Sequence, residues 1–125
     1  MKLRIKGNSI RLRLTQSEVD QVANGATVRE TVQFGPTRLT YALVPGTVAE
    51  PTAAFEDHEL RVELPQADAT TWAYSDEVGI QHRQDNGTDE ALFLLIEKDF
   101  QCLHKRPLED ETDHFPNPQA TPKRP

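Results

Sequence analysis

Apolar and polar residues alternate strictly over the first fourteen positions, with one change of phase. Leu3 and Ile5 fall on odd positions; after Gly7-Asn8-Ser9 the apolar set moves to Ile10, Leu12 and Leu14. Alternation with period two is the signature of a strand with one buried face. A phase slip at a glycine reads as a bulge or a tight turn between two strand segments. Lys2, Arg4, Lys6, Arg11 and Arg13 hold the complementary positions, so the pattern predicts a basic stripe on one sheet face opposite an apolar one.

The period then changes. Thr15 followed by Glu18 matches a capping box, and Leu14 and Val19 stand where a hydrophobic staple needs them. Val19, Val22 and Ala23 form one stripe and Asn24-Gly25 supplies a C-terminal stop, so a short helix is predicted over Thr15–Asn24. Strands over Thr27–Phe34 and Arg38–Val44 follow, joined at Gly35-Pro36-Thr37. Beyond the connection Pro45–Pro51 the same order recurs. Leu60–Leu64 alternates like Ile10–Leu14, a helix is predicted over Gln66–Ser75 with Ala69, Trp72 and Ala73 inward, and strands Val78–His82 and Ala91–Phe100 flank the turn Asp85-Asn86-Gly87.

The expected fold class is therefore α+β. It is a single domain over residues 1–103, a mostly antiparallel twisted sheet or half-open barrel of seven or so strands with two short helices. The recurrence divides it into two strand-helix-strand-strand halves. Leu92-Phe93-Leu94-Leu95-Ile96 breaks the alternation, and apolar residues on both faces predict a central strand covered on both sides.

Composition adds a tail and a compartment. Residues 104–125 carry Pro107, Pro116, Pro118, Pro122 and Pro125 and the acids Glu109-Asp110-Glu111. Such a segment buries too little apolar area to offset its chain entropy. A flexible tail is expected, with Phe115 as its one candidate anchor, and truncation after Leu108 is expected to leave the melting temperature nearly unchanged. The single cysteine, Cys102, excludes an internal disulfide and agrees with a reducing compartment. No signal-peptide stretch or long apolar run is present, so a cytoplasmic location is expected.

Charge is unevenly placed. The net charge is -6, yet residues 1–14 carry five basic side chains and no acid, against five basic and sixteen acidic side chains in residues 15–103. An acidic body disfavours a polyanion, and one basic strand is a small footprint for nucleic acid. The expected partner is a protein or a small anionic ligand, with no nucleic acid and no membrane, and the chain is expected to be a monomer or small homo-oligomer.

The candidate site is Gly7, Asn8 and Ser9 with Arg11 and Arg13. A glycine-centred bend exposes backbone N–H groups, and two guanidinium groups at i and i+2 project about 7 Å apart by strand rise, so the set could hold a carboxylate or phosphate. The rival reading has Asn8 and Ser9 satisfying local backbone groups and the cations pairing with Glu59, Glu63, Glu97 or Asp99. The two differ in whether the arginines are already paired. Cys102 two residues before His104 invites a nucleophile reading, but no orienting carboxylate is evident, and His58, His82, His104 and His114 lack metal spacing. The paired acids Glu56-Asp57, Asp76-Glu77 and Asp89-Glu90 fall at turns. No catalytic residue, metal or cofactor is assigned.

The run Leu3-Arg-Ile-Lys-Gly-Asn-Ser-Ile-Arg-Leu-Arg-Leu-Thr-Gln-Ser-Glu-Val19 resembles the opening of a family of short uncharacterised bacterial proteins. The run Phe93-Leu-Leu-Ile-Glu-Lys-Asp-Phe100, with Cys102-Leu103 and Phe115-Pro-Asn-Pro118, resembles the same family. The resemblance implies a bacterial cytoplasmic origin and carries no activity. Ile10-Arg-Leu-Arg-Leu14 is also similar to strands of the triphosphate-tunnel enzymes, which point bases and glutamates into a barrel. That likeness implies a phosphohydrolase as the alternative function, although Lys2, Arg4 and Lys6 stand where its metal-binding glutamates would be. The leading expectation is a small binding or accessory module acting through the basic strand.

Overall fold

The computed structural model describes residues 1–100 and 112–117. Leu3 pairs with Leu12 and Ile5 with Ile10 across an antiparallel hairpin of β1 (Lys2–Lys6) and β2 (Ser9–Leu14). The phase slip is thus a tight turn: a two-residue loop pairs odd positions with even ones, and Gly7 takes the positive φ of +54° that the turn requires. Helix α1 (Gln16–Ala23) follows, and the Thr15 N–H donates to Glu18 Oε1 at 2.9 Å, as the capping box demands. Then come β3 (Val28–Phe34) and β4 (Thr37–Gly46), paired antiparallel.

The second half repeats the plan with one more strand than the sequence suggests. β5 (Thr52–Glu56) and β6 (Glu59–Pro65) form a hairpin ahead of α2 (Gln66–Ala73), and β7 (Gly79–Gln84) and β8 (Leu92–Lys98) form another after it. Each half is therefore strand-strand-helix-strand-strand, which corrects the strand-helix-strand-strand division. β5 is hidden in sequence because Thr52-Ala53-Ala54 is weakly strand-forming. Its turn also uses Asp57 and His58 at φ +50° and +63° rather than a glycine.

The halves exchange their last hairpins. One mixed sheet has the order β1-β2-β8-β7 and the other β3-β4-β6-β5, with β2–β8 and β4–β6 parallel and every hairpin antiparallel. The register repeats as well as the order: Leu12 opposes Ile96 in the first sheet, and Val62 opposes Leu43 at the equivalent station of the second. The fold class is α+β, as expected, and the sheets face one another without closing into a barrel.

The core lies between the sheets and under the helices: Leu12, Leu14, Leu94 and Ile96 from one sheet, Leu43, Val62 and Leu64 from the other, and Val19, Val22, Ala69 and Trp72 from α1 and α2. Gln66 Nε2 donates to the Ala23 carbonyl at 3.0 Å, so the start of α2 satisfies the end of α1. β8 is central in its sheet, as the apolar run predicts, but the double cover is not found. Leu94 and Ile96 are buried inward, while Phe93 and Leu95 are half-buried on the outer face.

Asp113, His114 and Phe115, counted by sequence with the tail, pack on the domain. Ser17 N–H donates to Asp113 Oδ1 at 3.2 Å and Ser17 Oγ donates to Oδ2, so a distant carboxylate meets the start of α1. His114 is buried, with Nε2 3.4 Å from Asp99 Oδ2, and the Phe115 ring lies 5.7 Å from that of Phe100. Cys102, and the remainder of the sequence-defined tail with His104, lie outside the described residues.

Candidate functional site

In β1 and β2 the alternation places Leu3, Ile10, Leu12 and Leu14 toward the core and Lys2, Arg4, Lys6, Ser9, Arg11 and Arg13 on the outer face of the first sheet. The pairing sets Lys2 directly opposite Arg13, and Arg4 directly opposite Arg11. Like charges facing one another across strands destabilise a sheet. Arg83 of β7 adds a further cation opposite Phe93.

Glu97 offsets part of this repulsion. Its Oε1 accepts from Arg11 Nε at 2.6 Å and from Arg13 Nε at 2.8 Å. Gly79 opposes Glu97, and a Cβ there would come within 2.8 Å of the Ile96 carbonyl and 3.0 Å of Glu97 Cβ, so the neighbouring strand leaves the carboxylate its place. Lys2 Nζ lies 3.4 Å from Asp99 Oδ2. Arg4 and Lys6 have no carboxylate partner among the described residues. Replacing Glu97 by glutamine is expected to destabilise the fold by about 1–3 kcal/mol, because the arginines keep their charge and lose its partner. The loss should shrink in high salt, and chemical denaturation at two ionic strengths measures both effects.

The residues singled out from sequence meet, in changed roles. Ser9 Oγ donates to the Lys6 carbonyl at 2.6 Å, a local backbone group, whereas Asn8 Nδ2 donates to the distant Ala91 carbonyl at 3.0 Å and ties the turn to the chain entering β8. Arg11 and Arg13 hold Glu97. What the sequence reading did not single out is a shallow depression of about 210 Å³ whose lining includes Arg4, Lys6, Arg11, Phe93 and Leu95, a basic rim around half-buried apolar side chains. The double-sided apolar run of β8 was its sequence signal.

A second cavity opens between the sheets at the end away from the helices. The cleft, of about 380 Å³, is lined chiefly by Leu3, Ile5, Ile10, Leu39, Phe55, Leu60 and Leu92. Ile5 and Phe55 occupy equivalent stations of the two halves and are 62% and 63% exposed. The inward positions around it are apolar, and Arg11 and Arg13 point the other way, so the bases do not line a tunnel as the triphosphate-tunnel likeness requires.

His82 Nε2 lies 3.7 Å from Glu50, and His58 sits in the β5–β6 turn. No group of three or more His, Cys, Asp or Glu residues is placed to hold a metal among the described residues. Burial lowers the Lys98 ammonium below the usual lysine range against the opposing pull of Asp76 and Glu77; its Nζ donates to the Ser75 carbonyl at 2.8 Å. Burial, with Glu30 and Glu18 nearby, raises the Tyr41 hydroxyl, which donates to the Met1 carbonyl at 3.0 Å. No described helix is long and apolar enough to cross a membrane.

Fold and surface together define a two-sheet α+β domain with a basic outer face. The chain belongs to the family of unknown function DUF7009, whose model matches residues 1–119. Comparisons with curated proteins and with solved structures found no match.

Proposed function

We propose that this protein is a cytoplasmic binding or accessory module whose basic outer sheet face takes an acidic segment of a partner protein. The observation that carries the reading is the pair of like-charge stations Lys2–Arg13 and Arg4–Arg11, kept on one face despite their cost. The fold does not impose that charge. At the equivalent stations of the second sheet, Glu56 replaces Lys6, Glu59 replaces Ser9, Glu63 replaces Arg13 and Ala54 replaces Arg4. There the charges are mixed: Arg61 Nε lies 3.5 Å from Glu63 and Arg29 3.8 Å from Glu59.

An extended acidic segment fits this face better than a discrete anion at Gly7-Asn8-Ser9, because Asn8, Ser9, Arg11 and Arg13 are engaged while Arg4 and Lys6 have no carboxylate partner among the described residues. Phe93 and Leu95 give the partner apolar contact between the cations. One basic sheet face is a small footprint for nucleic acid.

The test is affinity capture from the native cell with wild type and Arg4→Ala/Lys6→Ala, at low and high salt. A partner held by wild type should be lost from the variant and released by salt, with the variant's melting temperature unchanged. Equal capture by both proteins, or none by either, would remove the reading.

A further inference from the structure

We infer that the free edge of β1 receives the partner as an added β-strand, acidic on one side and apolar on the other. This rests on the reading of the basic face and says how the partner is held there. β1 is the edge of its sheet. The two-residue turn makes Lys6–Ser9 the closing hydrogen-bonded pair, so Arg4 and Lys2 also bond inward to β2. The N–H and C=O groups of Leu3 and Ile5 therefore point away from the sheet.

The second half shows what those groups require. β5 is the matching edge strand, and its outward station Ala53 is closed by one side chain. Ala53 N–H donates to Gln84 Oε1 at 2.6 Å, and Gln84 Nε2 donates to the Ala53 carbonyl at 2.9 Å. Leu3 is the equivalent of Ala53. Val28 opposes Leu43 where Ile80 opposes Ile96, so Val32 of β3 is the equivalent of Gln84. A valine has no polar atom with which to close the strand. The same backbone pair that a glutamine seals in one half is left open among the described residues in the other, and beside it Ile5 and Val32 are 62% and 42% exposed.

An incoming strand would present alternate side chains to two different surfaces. On the outer side it meets Arg4 and Lys6, which select acids. On the inner side it meets Leu3 and Ile5 at the rim of the apolar cleft, which select aliphatic groups. A second copy is disfavoured, because β1 against β1 would set these cations against themselves. A basic edge that serves only to prevent self-pairing is the competing explanation.

The probe is a labelled seven-residue peptide alternating glutamate and valine, followed by fluorescence anisotropy and by amide hydrogen exchange at Leu3 and Ile5. A peptide of the same composition with its glutamates grouped ahead of its valines is the control. The alternating peptide should bind more tightly than the control and slow exchange at both amides. Two variants leave every charge in place. Val32→Gln should close β1 as Gln84 closes β5, and Ile5→Pro removes an outward N–H at a position where an edge strand tolerates proline. Each should weaken binding roughly tenfold or more, with melting temperatures confirming the fold.

If both variants bind as wild type does while Arg4→Ala/Lys6→Ala loses the peptide, strand addition is wrong and the basic face stands. If Arg4→Ala/Lys6→Ala binds unchanged, the reading of the face fails. No binding of the alternating peptide, or binding without protection at Leu3 and Ile5, overturns strand addition and leaves the edge as a guard against self-pairing.

Discussion

Replacing Trp72 by alanine is expected to destabilise the domain by about 3–5 kcal/mol, the largest effect of any single substitution in the core. Its side chain is 0% exposed and belongs to the cluster that joins both helices to both sheets. Its Nε1 donates to the Val78 carbonyl at 3.2 Å, but that oxygen also accepts the Lys98 N–H at 2.9 Å. The cost is therefore dominated by the cavity rather than by an orphaned acceptor. Trp72→Phe should recover most of it. Val22→Ala, at the equivalent position of α1, should cost less because fewer buried carbons are removed. Urea denaturation measures all three, and a loss below about 1 kcal/mol for Trp72→Ala would show that the core is not centred there.

Ending the chain at Glu111 is expected to cost about 2–4 kcal/mol, from the lost cap of α1 and the lost burial of Phe115. This replaces the expectation, drawn from composition, that the last residues contribute little to stability. Asp113 receives the Ser17 N–H and hydroxyl, and Gln16 donates its N–H to the Asp113 carbonyl at 3.0 Å. Phe115 N–H bonds the Asp99 carbonyl at 2.8 Å, and its ring lies 5.5 Å from Lys98 Nζ.

The hydrogen bonds from Ser17 and Thr15 hold the Asp113 carboxyl below its ordinary range. A carboxylate depressed in the folded state contributes stability above its unfolded pKa and loses it as pH falls through the folded one. The gap between the full and shortened chains should therefore narrow on acidification below the usual carboxylate range. Melting curves at neutral and acid pH test both parts. A shortened chain that melts with the full one at neutral pH would show that the segment adds nothing.

The alternation of Leu3 to Leu14, the capping residues of α1 and the apolar run Leu92–Ile96 are local patterns. Local chemistry was enough to place β1, β2, α1 and the central strand, and to put the five early cations on one face. It placed a turn at Glu56-Asp57 but missed the strand β5 that leads into it, because Thr52-Ala53-Ala54 is weakly strand-forming.

Pairing between distant strands lay beyond the sequence for a different reason. Alternation states which side of a strand is apolar but not which strand lies beside it, so the exchange of hairpins between halves and the parallel contacts β2–β8 and β4–β6 came only with the tertiary structure. The same limit applied to the site. Sequence put Arg11 and Arg13 near one another and offered Glu97 among four acids, and only the pairing of β2 with β8 decided that Glu97 engages both, while Arg4 and Lys6 have no carboxylate partner among the described residues. The open edge at Leu3 was equally out of reach, since it is recognised only by comparison with what Gln84 does for Ala53 in the other half of the fold. Composition assigned residues 112–117 to a tail because they are polar and proline-rich; three of them pack on the domain because α1 and Phe100 offer partners that no local window contains.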